Sequence, residues 1–194
     1  MNKLHVIYIP GLGDHDLTRQ TNILGFWNWW NVDTEIFQMN WADNRSWELK
    51  FSELLNRIDT VHKLGIKVAL VGVSAGGSAV INAYAARPDA IVGIVSISGK
   101  INRPDKIGPK YYQKNPSFVE SAKNSPFSLD KLSEEQRSHI LSRYGIYDPI
   151  VNKADSKVPS AKNRTSPTIG HVFTIAFQIT LGAPSLLRFL KKQM

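Results

Sequence analysis

The chain has 194 residues, 24 Lys+Arg against 16 Asp+Glu, a net charge of +8 and no cysteine. Hydrophobic residues make up 42% of it, which excludes a disordered chain and lets one domain over residues 1–194 bury a core without staples. The missing cysteine excludes disulfide frameworks, Cys-ligated zinc, iron–sulfur clusters and thiol nucleophiles, and it fits a reducing, cytoplasmic location.

The first apolar run, Leu4–Ile9, ends at Pro10-Gly11 and predicts a buried strand. It is shorter than the apolar stretch of a secretory signal. Residues 17–30 predict a helix with Asp14 or Asp16 as N-cap, and residues 34–39 a second strand. Ser46 can cap the clearest helix, where Trp47, Phe51, Leu54, Leu55, Ile58 and Val61 recur at helical spacing up to Gly65. Residues 66–73 are almost unbroken apolar residues, which suits a central parallel strand covered on both faces. Residues 75–86 predict a small-residue helix stopped by Arg87-Pro88-Asp89, and residues 90–97 another apolar strand. This alternation predicts an α/β fold, a doubly wound and mostly parallel sheet with helices on both faces.

Residues 102–136 break the rhythm. They are rich in Pro, Lys, Asn and Ser, with short helical candidates at 117–123 and 129–135. A polar, helical insertion between strands predicts a lid over one end of the sheet; an ordinary long connection is the alternative. The strand pattern resumes at 139–144. The most apolar long stretch, 172–190, contains Gln178, Gly182, Pro184 and Arg188, and predicts two short amphipathic helices rather than a membrane span.

The chemistry concentrates in Gly72-Val73-Ser74-Ala75-Gly76-Gly77. A serine at the tip of a tight strand-to-helix turn needs neighbours without side chains two places before and two after it. Its hydroxyl is then exposed, and the amide of Ala75 points into the same space. The pattern follows the most hydrophobic strand and opens a helix, the setting a serine nucleophile requires. A plain tight turn is the bland alternative.

A nucleophilic serine needs a base. His5, His62 and His139 sit in ordinary structural places, whereas His171 lies in a loop entering a C-terminal helix and is the favoured base. Asp148 follows the 139–144 strand and is the favoured orienting acid. Asp155 is its main rival; Asp130, in the insertion, is a weaker one, and a turn-forming Asp before Pro149 is the structural alternative. The loop Pro10-Gly11-Leu12-Gly13-Asp14 follows the first strand, and its glycines let backbone amides approach a ligand. Leu12 and Ala75 are the expected oxyanion donors. Gly11, Gly13, His15 and Trp41 are the expected substrate-lining residues. Without a third glycine, and with Asp14 and Asp16 following, the loop does not suit nucleotide phosphate.

The order Ser74, Asp148, His171, together with the glycine loop after the first strand and Gly72–Gly76, resembles the α/β-hydrolase fold superfamily over nearly the whole chain. The resemblance implies a minimal, small-lipase-like member that lacks the first two antiparallel strands of the family. It also implies a strand just before His171, where residues 163–169 carry only a weak strand signal. Pro10-Gly11 stands where the family often has His-Gly, and Val73 where it often has His. The expected activity is a serine hydrolase cleaving a carboxylic ester. An acyltransferase or thioesterase with the same triad, and a non-catalytic binding protein of this fold, are the alternatives.

No metal-ligand spacing is present, and no cofactor is expected. The expected partner is a small ester or acyl compound. Residues 1–98 carry 8 Lys+Arg against 9 Asp+Glu, so the positive excess lies entirely beyond residue 98. With no nucleic-acid motif, such placement points away from nucleic acid; a solvated basic surface is the plain reading, and a basic lid and rim favouring acidic substrates or weak contact with an anionic membrane surface is the alternative. Sequence does not set the oligomeric state.

Overall fold

The structure, a computed structural model, describes residues 3–194. Among the described residues six strands form one sheet: β1 (Leu4–Ile9), β2 (Val32–Ile36), β3 (Lys67–Val73), β4 (Ile91–Ile97), β5 (Ile140–Tyr147) and β6 (Lys162–Ile169). Their order is β2-β1-β3-β4-β5-β6, and every pairing is parallel. The chain therefore steps outward from β1 to β2 and returns to β3 on the other side of β1. The crevice at the carboxyl ends of β1 and β3 is the switch point where open α/β sheets bind ligands.

The long helices are α1 (Thr18–Gly25), α2 (Trp47–Lys63), α3 (Gly76–Ala86), α5 (Pro116–Asp130), α8 (His171–Ile179) and α9 (Ala183–Lys191). Shorter ones are α4 (Lys110–Lys114), α6 (Glu134–Ser138) and α7 (Lys153–Ser156). Alternation along the strands divides the core into two layers. Ile7, Ile9, Val68 and Leu70 face one side, with Leu54, Ile58, Val80 and Val119 from α2, α3 and α5. Leu4, Val6, Tyr8, Ala69 and Val71 face the other, with Leu24, Ile179, Leu186 and Leu190 from α1, α8 and α9. Strands buried on both faces explain the unbroken apolar runs of the sequence.

Several boundaries differ from expectation. The helix expected over 17–30 is α1 followed by a 3₁₀ turn at Phe26–Trp30. That tightening buries Trp27, whose Nε1–H donates to the Ile179 carbonyl at 3.0 Å, and leaves Trp29 exposed. Asp16 accepts from the Thr18 amide at 3.2 Å, while Asp14 is buried elsewhere. The second strand begins earlier than expected, at Val32, because Leu4–Tyr8 pairs with Val32–Ile36. The region expected to supply a lid is largely core: α5 is one helix, with Phe118, Val119, Ala122 and Leu129 buried. Its polar appearance comes from Ser117, Ser121 and Ser125, small buried residues that let it lie close to α3. Ser121 Oγ lies 2.8 Å from Ser78 Oγ, and Asn82 Nδ2 donates to the Ser121 carbonyl at 2.9 Å. The weakly signalled strand before His171 is a full strand, β6, at the sheet edge. The two C-terminal helices are bent by 61°, and among the described residues no single helix is long and apolar enough to cross a membrane.

A charged clasp holds the opposite edge. The buried His5 of β1 puts Nδ1 2.9 Å from Asp33 and Nε2 3.5 Å from Glu35, both on β2. Arg57 of α2 donates to both Glu35 oxygens, and Lys3 lies 3.8 Å from Asp33. The Glu35 carboxylate beside it raises the His5 pKa, against burial, with Asp33 adding to the rise. Burial pushes the Glu35 carboxyl up, but His5 and Arg57 outweigh it and bring it to about 2.

The signs follow from linkage. The His5 contribution is complete below its ordinary value of 6.5 and fades as pH rises through its raised value. The Glu35 contribution is complete above its ordinary value of 4.5 and fades as pH falls toward about 2. The clasp is therefore strongest between those ordinary values. Thermal unfolding across this range should show His5→Gln less stable than wild type near pH 6 by on the order of 1 kcal/mol. The gap should shrink at higher pH, and a gap independent of pH would contradict this account.

Candidate active site

Ser74 occupies the turn from β3 into α3, with φ 53°, a left-handed conformation that a non-glycine residue holds only under constraint. The constraint is visible. The Ser74 amide donates to the Ile97 carbonyl at 3.0 Å, and its carbonyl accepts from the amides of Gly77 at 3.0 Å and Lys100 at 3.1 Å. A methyl group at Gly72 would strike the Gly76 carbonyl, and one at Gly76 would strike the Ile9 carbonyl. Glycine at both places lets β3, α3 and β1 close on one another beneath the serine.

His171 opens α8, directly after β6 and Gly170, whose φ of 96° lets the chain turn from strand to helix. Its Nε2 lies 2.9 Å from Ser74 Oγ, and its Nδ1 lies 2.7 Å from Asp148 Oδ2. Asp148 follows β5, with a side chain only 2% exposed. Its other oxygen accepts from the Ile150 and Val151 amides, each at 2.9 Å. Burial pushes this carboxyl up, but the His171 hydrogen bond and the two amides outweigh it, so its pKa lies below the ordinary value. The side chains of Ser74, His171 and Asp148, expected from three separate parts of the sequence, thus form one hydrogen-bonded line.

The rival carboxylates are committed elsewhere. The buried Asp155 has one oxygen 2.9 Å from Lys100 Nζ and the other 2.5 Å from Arg103 Nε. Its carbonyl also accepts from the Ile101 and Asn102 amides, so it ties α7 to the chain leaving β4. Asp130 is 82% exposed.

The loop after β1 packs directly over the serine: a Cβ on Gly11 would fall 2.9 Å from Ser74 Cβ. Trp41 is fully buried and donates from Nε1 to the Pro10 carbonyl at 3.0 Å. Buried Asp14 accepts from the Trp41 amide at 3.4 Å, and its carbonyl accepts from Gln38 at 2.5 Å. Burial pushes the Asp14 carboxyl up. These bonds fix the loop from behind. Among the described residues no protein acceptor engages the amides of Leu12 or Ala75.

Two cavities meet at Ser74. The smaller, about 80 Å³, has Leu12, Lys100, Lys106, Ile107, Tyr111 and Val151 in its wall. The larger and more open, about 320 Å³, is bordered by Gly11, Gly13, Gln20, His171 and Val172. Gly11, Leu12 and Gly13, three of the expected site residues, all border the larger cavity. His15 is exposed and borders neither cavity. Trp41 borders neither, because it is spent on packing against Trp47 and Phe118. Lys100, Tyr111 and Ile150 escaped the sequence reading. Lys100 carried a usable signal, a charge just past the carboxyl end of an apolar strand; Tyr111 and Ile150 had none. Among the described residues no group of three or more His, Asp and Glu gathers in a way that could hold a metal ion.

No protein-family model matches this chain, and no curated protein sequence does. Solved structures do. Est1E from Butyrivibrio proteoclasticus superposes with a TM-score of 0.72 at 19% identity, over 99% of this chain and 88% of that one. A second structure of Est1E, with ferulic acid bound, gives 0.68 at 17%, over 98% and 89%. Monoacylglycerol lipase of Paleococcus ferrophilus gives 0.61 at 18%, over 98% and 95%. Mouse alpha/beta hydrolase domain-containing protein 10 gives 0.66 at 16%, over 98% and 90%. Similarity of backbone at such low identity establishes architecture and not activity. From end to end, then, this chain has the α/β-hydrolase fold that it shares with esterases and lipases.

Proposed function

We propose that this chain is a serine hydrolase that cleaves a small carboxylic ester through an acyl-enzyme on Ser74. The observation that carries the reading is the continuous line Ser74 Oγ, His171 Nε2, His171 Nδ1, Asp148 Oδ2, with links of 2.9 and 2.7 Å. Ferulic acid bound to Est1E adds support for a small acyl group.

Ser74 Oγ attacks the ester carbonyl carbon while its proton passes to His171 Nε2. Asp148 accepts the Nδ1–H, fixes the tautomer and stabilises the imidazolium. The carbonyl oxygen becomes an oxyanion held by the amides of Leu12 and Ala75, each worth about 3 kcal/mol of barrier. Collapse of the tetrahedral species expels the alcohol, which takes the proton from Nε2. Water then attacks the acyl-enzyme, gives its proton to the same nitrogen, and the second collapse returns that proton to Ser74 as the acid departs.

A fluorophosphonate probe should label the wild-type protein and fail to label Ser74→Ala. Labelling that persists in Ser74→Ala would remove Ser74 as the nucleophile.

The two carboxylates should behave in opposite ways. Asp148→Asn should keep its unfolding midpoint and lose about 10⁴-fold in kcat on a short-chain ester, since the amide favours the wrong imidazole tautomer. Asp155→Asn should instead lose about 3 kcal/mol of stability, because it strands two cations around a buried neutral group. Its folded fraction should remain far more active than Asp148→Asn. The reverse pattern would transfer the role of acid to Asp155.

A further inference from the structure

The smaller cavity beside Ser74 has a charge imbalance that ester hydrolysis alone does not use. Lys100 and Lys106 border it, against the single carboxylate of Asp155. Both Asp155 oxygens are already taken, one by Lys100 and the other by Arg103. Two cations therefore share one anion, and Lys106 adds a third positive charge. Lys106 has Asp105 3.4 Å away, but both side chains are 66% exposed and the pair is weak. The other carboxylate of the site, Asp148, is held by His171 and two amides and does not border this cavity.

The position of the excess charge is fixed relative to the reacting atoms. The Lys100 amide donates to the Ser74 carbonyl at 3.1 Å, and the Lys100 side chain is 8% exposed. Ile107, Tyr111, Phe118, Ile150 and Val151 supply apolar walls. An anion entering there meets the buried Lys100 ammonium, already shared with Asp155, and the exposed Lys106 ammonium, both able to make charge-assisted hydrogen bonds. A volume of about 80 Å³ admits on the order of six non-hydrogen atoms.

We infer that this pocket selects a short acyl group ending in a carboxylate, such as the monoester of a four-carbon dicarboxylic acid, with Lys100 and Lys106 as the specificity-determining residues. This rests on the serine-hydrolase reading above. The ester carbonyl sits at Ser74 and the distal carboxylate at the two lysines. The bonds made and broken are those of ester hydrolysis, so the lysines change the choice of substrate and not the reaction.

The test compares methyl butyrate with monomethyl succinate, which share a chain length and differ in the terminal carboxylate. Hydrolysis is followed by titration of the acid released. Wild type should favour the succinate ester at least tenfold in kcat/KM. Lys106→Met should reduce that ratio several-fold, and Lys106→Arg should largely restore it. A wild-type ratio at or below one overturns the inference, as does a ratio that Lys106→Met leaves unchanged. Fluorophosphonate labelling at Ser74 with neither ester cleaved overturns the inference alone. Absence of both labelling and cleavage removes the hydrolase reading together with it.

Discussion

The approach of α3 to the strand ends governs the rest of the site. Gly72 lies against the Gly76 carbonyl, and Gly76 against the Ile9 carbonyl, with no room for a methyl group at either contact. Because these backbones touch, the residue between them is forced into a left-handed conformation and its side chain is thrust clear of the sheet. Ser74 is a strained residue held by its surroundings: Ile97 anchors its amide, while Gly77 and Lys100 anchor its carbonyl. The same proximity brings the β1 loop over the serine, so Gly11 can reach Ser74 only because Gly76 admits Ile9. Ser74, the β1 loop and the start of α3 are thus one packing solution.

The relation between Asp148 and Asp155 shows how neighbouring carboxylates acquire different work. Both follow β5, seven positions apart, and both are well buried as side chains. What separates them is the company each keeps. Asp148 faces one imidazole and two amides. Asp155 faces an ammonium and a guanidinium, and its backbone carbonyl holds the chain leaving β4. A carboxylate locked between ammonium and guanidinium has no capacity left to orient an imidazole. One aspartate can therefore sit beside an imidazole while the other serves as a tether.

Much of this was legible in the sequence, because it depends on local rules. The apolar runs at residues 4–9, 66–73 and 90–97 read as buried strands, and the glycine pattern around Ser74 as a tight strand-to-helix turn. What was illegible depends on distant partners. Nothing in residues 117–125 announces that serine spacing will serve helix packing, because the signal lies in Ser78 and Asn82 on another helix. β6 reads weakly because it is an edge strand, with one face partly in water and few apolar residues required. Trp41 looked like a pocket residue, since it follows a strand on the functional side. Its indole is instead consumed by the Pro10 carbonyl and by stacking on Trp47. His15 occupied the right loop, but nothing in that loop turns it inward.

The charge distribution gains a structural sense from this geometry. Lys100, Arg103 and Lys106 fall within seven consecutive positions that leave β4 and pass beside Ser74. Asp155 is shared between buried Lys100 and half-exposed Arg103, and Lys106 pairs only weakly with the exposed Asp105, so three cations stand against two carboxylates. A cavity beside Ser74 with more positive than negative charge around it suits an anion, and the inferred acyl carboxylate would supply one.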